Sequence, residues 1–175
     1  DNELIKHIKK LKDKKYRDKM GLFFVEGYDI VIEAYKNNLI KELYVLDGID
    51  VSMDVPVTYV SYDVMKKISD MESISEYYAV CYKKEDKEVG NRVMILDGLQ
   101  DPGNLGTIIR SANAFGFNDI ILSNNSVKKY NDKVLRATQG MIFNMNVITK
   151  DLASFIPYLK DNGYKVYGTD VVNGV

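Results

Sequence analysis

Apolar residues follow two spacings along this chain, and the two spacings alternate. In the first half, apolar positions three and four residues apart predict helices, whereas short apolar runs bounded by turn residues predict strands. The predicted helices cover residues 1–20, 28–37 and 63–68, and the predicted strands cover residues 22–25, 42–46, 55–60 and 77–82. Pro56, near the start of the third strand, favours an edge position for it. This order of elements indicates a small α/β domain.

The second half opens with a stretch, residues 92–123, that predicts a strand, a glycine-containing loop, a helix and a second strand. The apolar run 93–96 is typical of a strand that is covered on both faces. Asn104 lies where a helix N-cap belongs, and Gly116 lies where a C-terminal glycine would end the helix. The stretch therefore predicts one β-α-β unit.

The remaining residues repeat this pattern. The predicted helices cover residues 133–139 and 151–162, and the predicted strands cover residues 145–148 and 164–167. Alternating strands and helices favour a mostly parallel, Rossmann-like sheet with helices on its faces. The charged segment 83–91 predicts a linker between the halves, and we expect domains at residues 1–88 and 92–175. Ligands of such sheets bind beyond the carboxyl ends of the strands, which is where residues 100–106 fall.

The charge of the chain is close to zero overall but is unevenly distributed. The 175 residues carry a formal net charge of −1, so composition alone does not indicate a nucleic-acid-binding protein. Residues 1–20, however, contain eight Lys or Arg and four Asp or Glu, which is a local net charge of +4. Such a segment can contact a phosphate backbone, or it can be the solvated face of a helix. Both interpretations stay open on this pattern.

Cysteine and histidine contents exclude two classes of protein. Cys81 is the only cysteine, so an intrachain disulfide is impossible, and its apolar neighbours predict a buried core position. With His7 as the only histidine, an ordinary zinc site is excluded, and we expect no metal. We also expect a cytoplasmic location and no membrane partner, because no apolar segment has the length of a membrane span and no signal peptide is present.

Arg110 is the candidate for chemistry within the predicted β-α-β helix. Its neighbours at helical spacing are small or polar, and it lies close enough to the helix start to reach back towards the loop. The amides at a helix N-terminus bind anions, and a guanidinium would add donors for a phosphate. The alternative is a capped helix with one solvated arginine. Spacing alone does not decide between the two.

Two sequence motifs resemble one family of enzymes. The run D-P-G-N-L-G-T-I-I-R-S-A-N-A-F-G, residues 101–116, is similar to the first motif of the SpoU (TrmH-like) RNA 2′-O-ribose methyltransferases of the SPOUT superfamily. Residues 133–140 are similar to a second stretch of that family. The resemblance implies a fold with a trefoil knot, S-adenosylmethionine as cofactor, a homodimer, and active-site roles for Asn104 and Arg110. It also suggests a phosphate contact for Arg136.

The first half resembles a second part of the same family. Residues 14–34 are similar to the substrate-binding domain that precedes the catalytic domain in many SpoU enzymes. This resemblance implies that the first half is an RNA-binding domain, and it puts Lys15 and Arg17 forward as RNA contacts. For Phe23 and Phe24 we expect core packing rather than base stacking.

The chain departs from the family pattern at its end. Two further motifs of the family would follow Val175, so we expect the chain to be a fragment without activity of its own, with its cofactor-binding residues beyond Val175. For the intact protein we expect methylation of RNA, most simply rRNA, at a ribose 2′-hydroxyl. The alternative is an RNA-binding module without catalysis. A nucleotide-binding α/β protein fits less well, because residues 123–125 offer no acidic group for a ribose.

Overall fold

The computed structural model describes residues 2–170, and its first half is built around a four-stranded mixed sheet with the strand order β1-β4-β2-β3. Its elements are α1 (Asn2–Lys10), α2 (Lys14–Met20), β1 (Leu22–Glu26), α3 (Tyr28–Lys36), β2 (Ile40–Leu46), β3 (Val57–Val60), α4 (Tyr62–Ile68) and β4 (Tyr77–Tyr82). β3 pairs only with β2 in this sheet, so the edge position predicted from Pro56 is confirmed.

The single helix predicted for residues 1–20 is wrong, because Asp13 divides it. The Asp13 carboxylate accepts a hydrogen bond from the amide of Lys15 at 2.6 Å and caps α2. Asp side chains compete for backbone amides in this way, which makes them better caps than helix-interior residues. Gly21 then ends α2 in the left-handed conformation, as its position after the basic segment predicted. Asp1 lies outside the described residues.

The second half contains a parallel sheet with the strand order β5-β6-β7. Its elements are β5 (Val93–Leu96), α5 (Pro102–Ala114), β6 (Asp119–Ser123), α6 (Asp132–Thr138), a 3₁₀ helix (Met141–Asn144), β7 (Asn146–Lys150) and α7 (Leu152–Asp161). Strands therefore alternate with helices, and the predicted α/β class with a mostly parallel second sheet is confirmed.

Two predictions for this half are wrong. α5 begins at Pro102 rather than after Asn104, because the Asp101 carboxylate caps it and proline suits the first helical position. The strand predicted at residues 164–167 does not form, since the described part of the chain gives these residues no strand partner. The Tyr164 amide instead bonds the Leu159 carbonyl at 3.0 Å and closes the end of α7.

The two halves share an apolar core. One cluster of buried side chains includes Phe23 and Val31 from the first half and Leu105 and Phe143 from the second. The Phe23 ring, predicted to be a core residue, is completely buried and stacks on Tyr130 with ring centroids 4.6 Å apart. Burial of this kind stabilises by about 25 cal/mol per Å² of apolar surface. The first sheet is therefore held against the second half, whereas the exact domain limits at residues 88 and 92 stay a prediction.

The linker also contacts the second half. The ammonium of Lys84 donates a hydrogen bond to the Phe143 carbonyl, and its backbone amide bonds the Tyr130 hydroxyl at 2.8 Å. Cys81, just before it, is buried as predicted. Within residues 2–170, no helix has the length and apolar character that crossing a membrane requires.

Candidate active site

The two motifs that suggested a family are brought into contact by the crossing of α5 and α6. Gly106 is buried at the crossing, and a methyl group built on it would lie 2.9 Å from both the Cβ and the carbonyl oxygen of Ala137. Real Cβ atoms do not approach other atoms so closely, so only glycine lets these backbones meet. Residues 106 and 137 are far apart in sequence, and their contact defines the geometry of the site.

Arg110 lies one helical turn beyond this crossing and is exposed. Its Nη1 atom is 3.5 Å from the carbonyl oxygen of Ala137, the outer limit of a hydrogen bond. The guanidinium is thereby held near the start of the turn that follows α6, while most of its donors face outwards. A planar group with several free donor directions suits a phosphate or a developing oxyanion.

A cavity of about 370 Å³ lies beside Arg110, which is within the roughly 300–1,000 Å³ usual for ligand sites. We call it the inter-half groove, because both halves line it. Its residues include Tyr28, Asp29, Glu33 and Lys36 from α3, Arg110 from α5, and Thr138, Gln139 and Asn144 from the segment that begins at the end of α6. Helix α3 of the first half and the motif arginine therefore line the same cavity.

Left-handed backbone and close packing between the halves lie beside the inter-half groove. Gln139 has φ of 49° and Gly140 has φ of 83°, so two successive residues are left-handed. A Cβ on Gly140 would lie 2.7 Å from the Cβ of Glu33, which leaves room only for glycine. Asn144 donates to the Glu33 carboxylate at 3.1 Å and accepts from Asn37 at 2.9 Å. These contacts fix the position of α3 against the segment that follows α6.

Asn104, the second predicted catalytic residue, is exposed in the first turn of α5. Its amide donates to the Asp101 carboxylate at 2.6 Å, so the capping role that we predicted for Asn104 belongs to Asp101. Asn104 precedes Arg110 by six residues, or roughly 9 Å along a helix axis, and it is not among the residues that line the inter-half groove. The two predicted catalytic residues therefore share a helix but not this cavity.

The predicted RNA contacts lie in three different environments. Lys15 is exposed on α2, and Arg136 is exposed on α6 with an ion pair to Asp132 at 2.9 Å. Arg17 is only 6% exposed and donates to the carbonyls of Leu11 and Lys12 at 3.1 and 2.7 Å. Burial lowers the pKa of Arg17, although a guanidinium stays protonated in proteins. These bonds close the α1–α2 turn, and Arg17 also lines the basic cavity described below, so its RNA contact stays a prediction.

A basic surface that the sequence did not suggest lies along the linker. Its cavity of about 400 Å³ is lined by five lysines that we call the lysine cluster: Lys14, Lys83, Lys84, Lys128 and Lys129. Asp18 pairs with Lys14 and Lys83, and Asp86 pairs with Lys129. Two carboxylates do not balance five ammonium groups, so the surface is positive. The first half, the linker and the loop after β6 each contribute part of it, which is why no single segment reveals it.

Asp18 should make stability depend on pH. Hydrogen bonds from Lys14 and Lys83 lower the pKa of its carboxyl to about 2, below the roughly 3.9 of an unfolded chain. The ion pairs therefore stabilise the fold fully above about pH 4, and this contribution is lost as the pH falls through 2. Because Asp18 is exposed, we expect Asp18→Asn to cost under about 1 kcal/mol at pH 7. Urea unfolding at pH 7, 4 and 2 measures this.

The same experiment has a clear contrary result. If the wild type and Asp18→Asn differ in unfolding free energy by the same amount at pH 7 and at pH 2, the carboxylate's charge is not the cause. Asp86→Asn is the matched control, because it removes another exposed carboxylate, one that pairs with a single lysine of the same cluster.

The carboxyl edge of the parallel sheet carries hydrogen-bonding groups. Asp97, Gln100 and Asn125 are exposed there, and the buried hydroxyls of Ser123 and Ser126 hold the loop by accepting from the amides of residues 98 and 99. Such groups suit the amino, hydroxyl and carboxylate groups of a polar cofactor. The cofactor-binding residues predicted beyond Val175 lie outside the described residues. Within residues 2–170, no cluster of three or more His, Cys, Asp or Glu could hold a metal ion.

The fold and this site define an α/β protein in which a mixed-sheet domain is packed on a parallel-sheet domain with an exposed motif arginine. A family model described as "SpoU rRNA Methylase family" matches residues 91–175, and one described as "MRM3-like substrate binding domain" matches residues 2–79. The chain belongs to the SpoU rRNA methylase family. The resemblance found in both halves of the sequence is thereby confirmed.

Relatives cover the chain almost completely. It is 36% identical to the 23S rRNA (guanosine(2553)-2′-O)-methyltransferase RlmP of Bacillus subtilis, over 99% of this chain and 72% of that protein. It is 27% identical to the mitochondrial rRNA methyltransferase 3 of Xenopus tropicalis, over 97% of this chain and 45% of that protein. An AdoMet-bound rRNA methyltransferase from Sinorhizobium meliloti superposes with a TM-score of 0.81 and 27% identity, over 97% of this chain and 69% of that one.

Proposed function

We propose that this protein is an RNA ribose 2′-O-methyltransferase that uses S-adenosylmethionine and acts on rRNA. The observation that carries the proposal is the position of Arg110, on the helix of the family's first motif and in a groove that the substrate-binding half also lines. The names of the Bacillus and Xenopus relatives support rRNA as the substrate, and the AdoMet-bound neighbour supports the cofactor.

The reaction assigns an electrostatic role to Arg110. The cofactor, when bound, supplies a methyl carbon that a ribose 2′-hydroxyl can attack. Arg110 keeps its proton, so it is not the base; it binds the neighbouring phosphate and stabilises the charge that develops on the 2′-oxygen. Asn104, on the same helix, orients the ribose or keeps the loop in shape. RNA is required because DNA lacks the hydroxyl that accepts the methyl group.

Cations outside the groove supply affinity for the RNA backbone. Lys15 and Arg136 are exposed and belong to the two halves, and the lysine cluster spans the linker between them. Each phosphate contact releases counterions, so binding should weaken steeply as salt is raised. Arg17 contributes indirectly, by holding α1 and α2 at the angle that presents Lys15.

A non-catalytic RNA-binding module is the rival function. It would use the lysines and the first half alone, and it would not account for the exposed motif arginine, Arg110. The relatives named above are methyltransferases over nearly all of this chain, which favours the catalytic proposal. We also propose that the protein is a cytoplasmic homodimer; the single buried cysteine fits a reducing compartment, and light scattering measures the dimer.

The proposal is tested with an rRNA fragment and isotopically labelled S-adenosylmethionine. We expect the intact protein to transfer one methyl group to one ribose, and we expect a 2′-deoxy substitution at that nucleotide to abolish transfer while binding changes by less than about threefold. A matched RNA with the 2′-deoxy substitution two nucleotides away is the control. Transfer to a base, which would survive the 2′-deoxy substitution, contradicts the proposal, as does RNA binding with no transfer at all.

A further inference from the structure

Tyr28 is a large aromatic side chain at the rim of the inter-half groove. It is the first residue of α3, and it is 53% exposed. Its ring meets the edge of Tyr77, with centroids 5.0 Å apart and planes at 66°. The Gly27 amide next to it bonds the Tyr77 carbonyl at 3.0 Å, which holds the start of α3 against β4. About half of the Tyr28 side chain is therefore accessible to a ligand, and its backbone is held in place by β4.

The charges in the groove are arranged with opposite signs on its two sides. The α3 side carries the carboxylates of Asp29 and Glu33, and the α5 side carries the guanidinium of Arg110. Lys36 pairs with Glu33 at 3.4 Å and offsets part of the negative charge. A phosphate is therefore attracted towards α5 and repelled from the first turn of α3. A nucleotide in this groove lies with its sugar and phosphate towards Arg110 and its base towards α3.

In this orientation the base would lie against the side chain of Tyr28, which lines the α3 side of the groove. Aromatic side chains stack on unpaired bases, and single-stranded or splayed nucleotides are recognised in this way. The groove, about 370 Å³, is large enough for a single base but not for a duplex. Resting on the proposed function, we propose that Tyr28 stacks on the base of the nucleotide whose ribose is methylated, and so positions its 2′-hydroxyl beside Arg110.

Tyr28 is thus a substrate-positioning residue supplied by the first half, and the site is incomplete without that half. The contact between Gly140 and Glu33 and the bonds of Asn144 hold α3 in place over the motif helices. The distance between the stacking ring and the arginine is therefore set by packing between the halves. A target nucleotide has to leave its neighbours' stack to reach both groups.

The test compares Tyr28→Ala and Tyr28→Phe with Tyr62→Ala in the intact protein. Tyr62 is a matched control, because it is the first residue of α4, is 57% exposed and does not line the groove. Loss of one stacked base corresponds to a roughly 5- to 150-fold effect. We expect Tyr28→Ala to lower kcat/KM for RNA by that factor, and Tyr28→Phe and Tyr62→Ala to stay within about twofold of wild type.

A spectroscopic measurement separates stacking from a general structural role. RNA with 2-aminopurine at the methylated nucleotide should lose fluorescence on binding wild type and Tyr28→Phe, because stacking quenches this base, and should keep it on binding Tyr28→Ala. If Tyr28→Ala is less stable in urea than wild type, Tyr28→Leu replaces it, since it keeps apolar bulk without a ring.

Two results would overturn the inference while leaving the proposed function standing. One is methylation that proceeds at the wild-type rate with Tyr28→Ala. The other is equal quenching of 2-aminopurine by wild type and Tyr28→Ala. Wild-type protein that methylates no RNA would instead contradict the proposed function itself, so the two failures are distinguishable.

Discussion

In the intact protein, replacement of Arg110 by alanine should lower kcat for RNA methylation by a factor on the order of 10² to 10³, the loss typical of a removed oxyanion donor. The guanidinium is exposed and its one hydrogen bond within residues 2–170 is 3.5 Å long, so folding should be unchanged. RNA affinity should fall by less than about fivefold, because we propose that the lysines outside the groove make most of the phosphate contacts. Single-turnover methylation and equilibrium RNA binding measure the two effects separately.

Arg110→Lys and Arg92→Ala are the controls for this prediction. Lysine keeps the charge but loses the planar fork of donors, so we expect Arg110→Lys to recover only part of the rate. Arg92 is an exposed arginine of the same half whose guanidinium lies over the Phe117 ring, and Arg92→Ala removes an equal charge away from the groove. Methylation by Arg110→Ala within about threefold of wild type would refute the catalytic role assigned to Arg110 and would leave the methyltransferase activity standing.

In the intact protein, Gly106→Ala should reduce methylation about 100-fold while lowering stability by no more than about 2 kcal/mol. Alanine is favoured over glycine inside a helix by about 1 kcal/mol, but overpacking costs typically 1–3 kcal/mol. The new methyl group would lie 2.9 Å from the Ala137 backbone, which cannot rotate away as a side chain can. α5 and α6 must therefore separate, and Arg110 moves with α5. A displacement of about 1 Å at a reacting centre can cost 10²-fold in rate.

Gly168→Ala is the matched control, because a Cβ at Gly168 would meet nothing within 4 Å. Urea unfolding and methylation kinetics, carried out on both variants, distinguish a shifted site from a weakened fold. A Gly106→Ala protein that is more stable than wild type and equally active would show that the helices do not need this close approach. Loss of activity in proportion to unfolded protein would show that only stability had changed.

Most elements of the fold could be predicted because local patterns encode local hydrogen bonding. The apolar runs at residues 22–25, 93–96 and 120–122 became strands, and Gly116 ended α5 with φ of 76°. The errors have local physical causes. Asp13 and Asp101 captured backbone amides and set helix starts, and residues 164–167 had the composition of a strand without a neighbouring strand to pair with in the described part of the chain.

The candidate site was predicted only in part. The motif resemblance put Arg110 forward, and the structure places it in a groove that both halves line. The resemblance also put Arg17 forward, and its guanidinium donates to the carbonyls of Leu11 and Lys12 in the turn after α1. Tyr28 was missed because an aromatic residue at a helix start is not distinctive. Its position in the same groove as Arg110 is what suggests a role in substrate binding.

The sequence by itself determined the elements, the α/β class and the family, because these depend on residue spacing and on motifs within continuous segments. The tertiary structure alone decided which segments meet. Gly106 packs against Ala137, Gly140 packs against Glu33, and Tyr28 and Arg110 line one groove. Such contacts depend on how two sheets share one core, and no local period records the distance between residues that packing brings together.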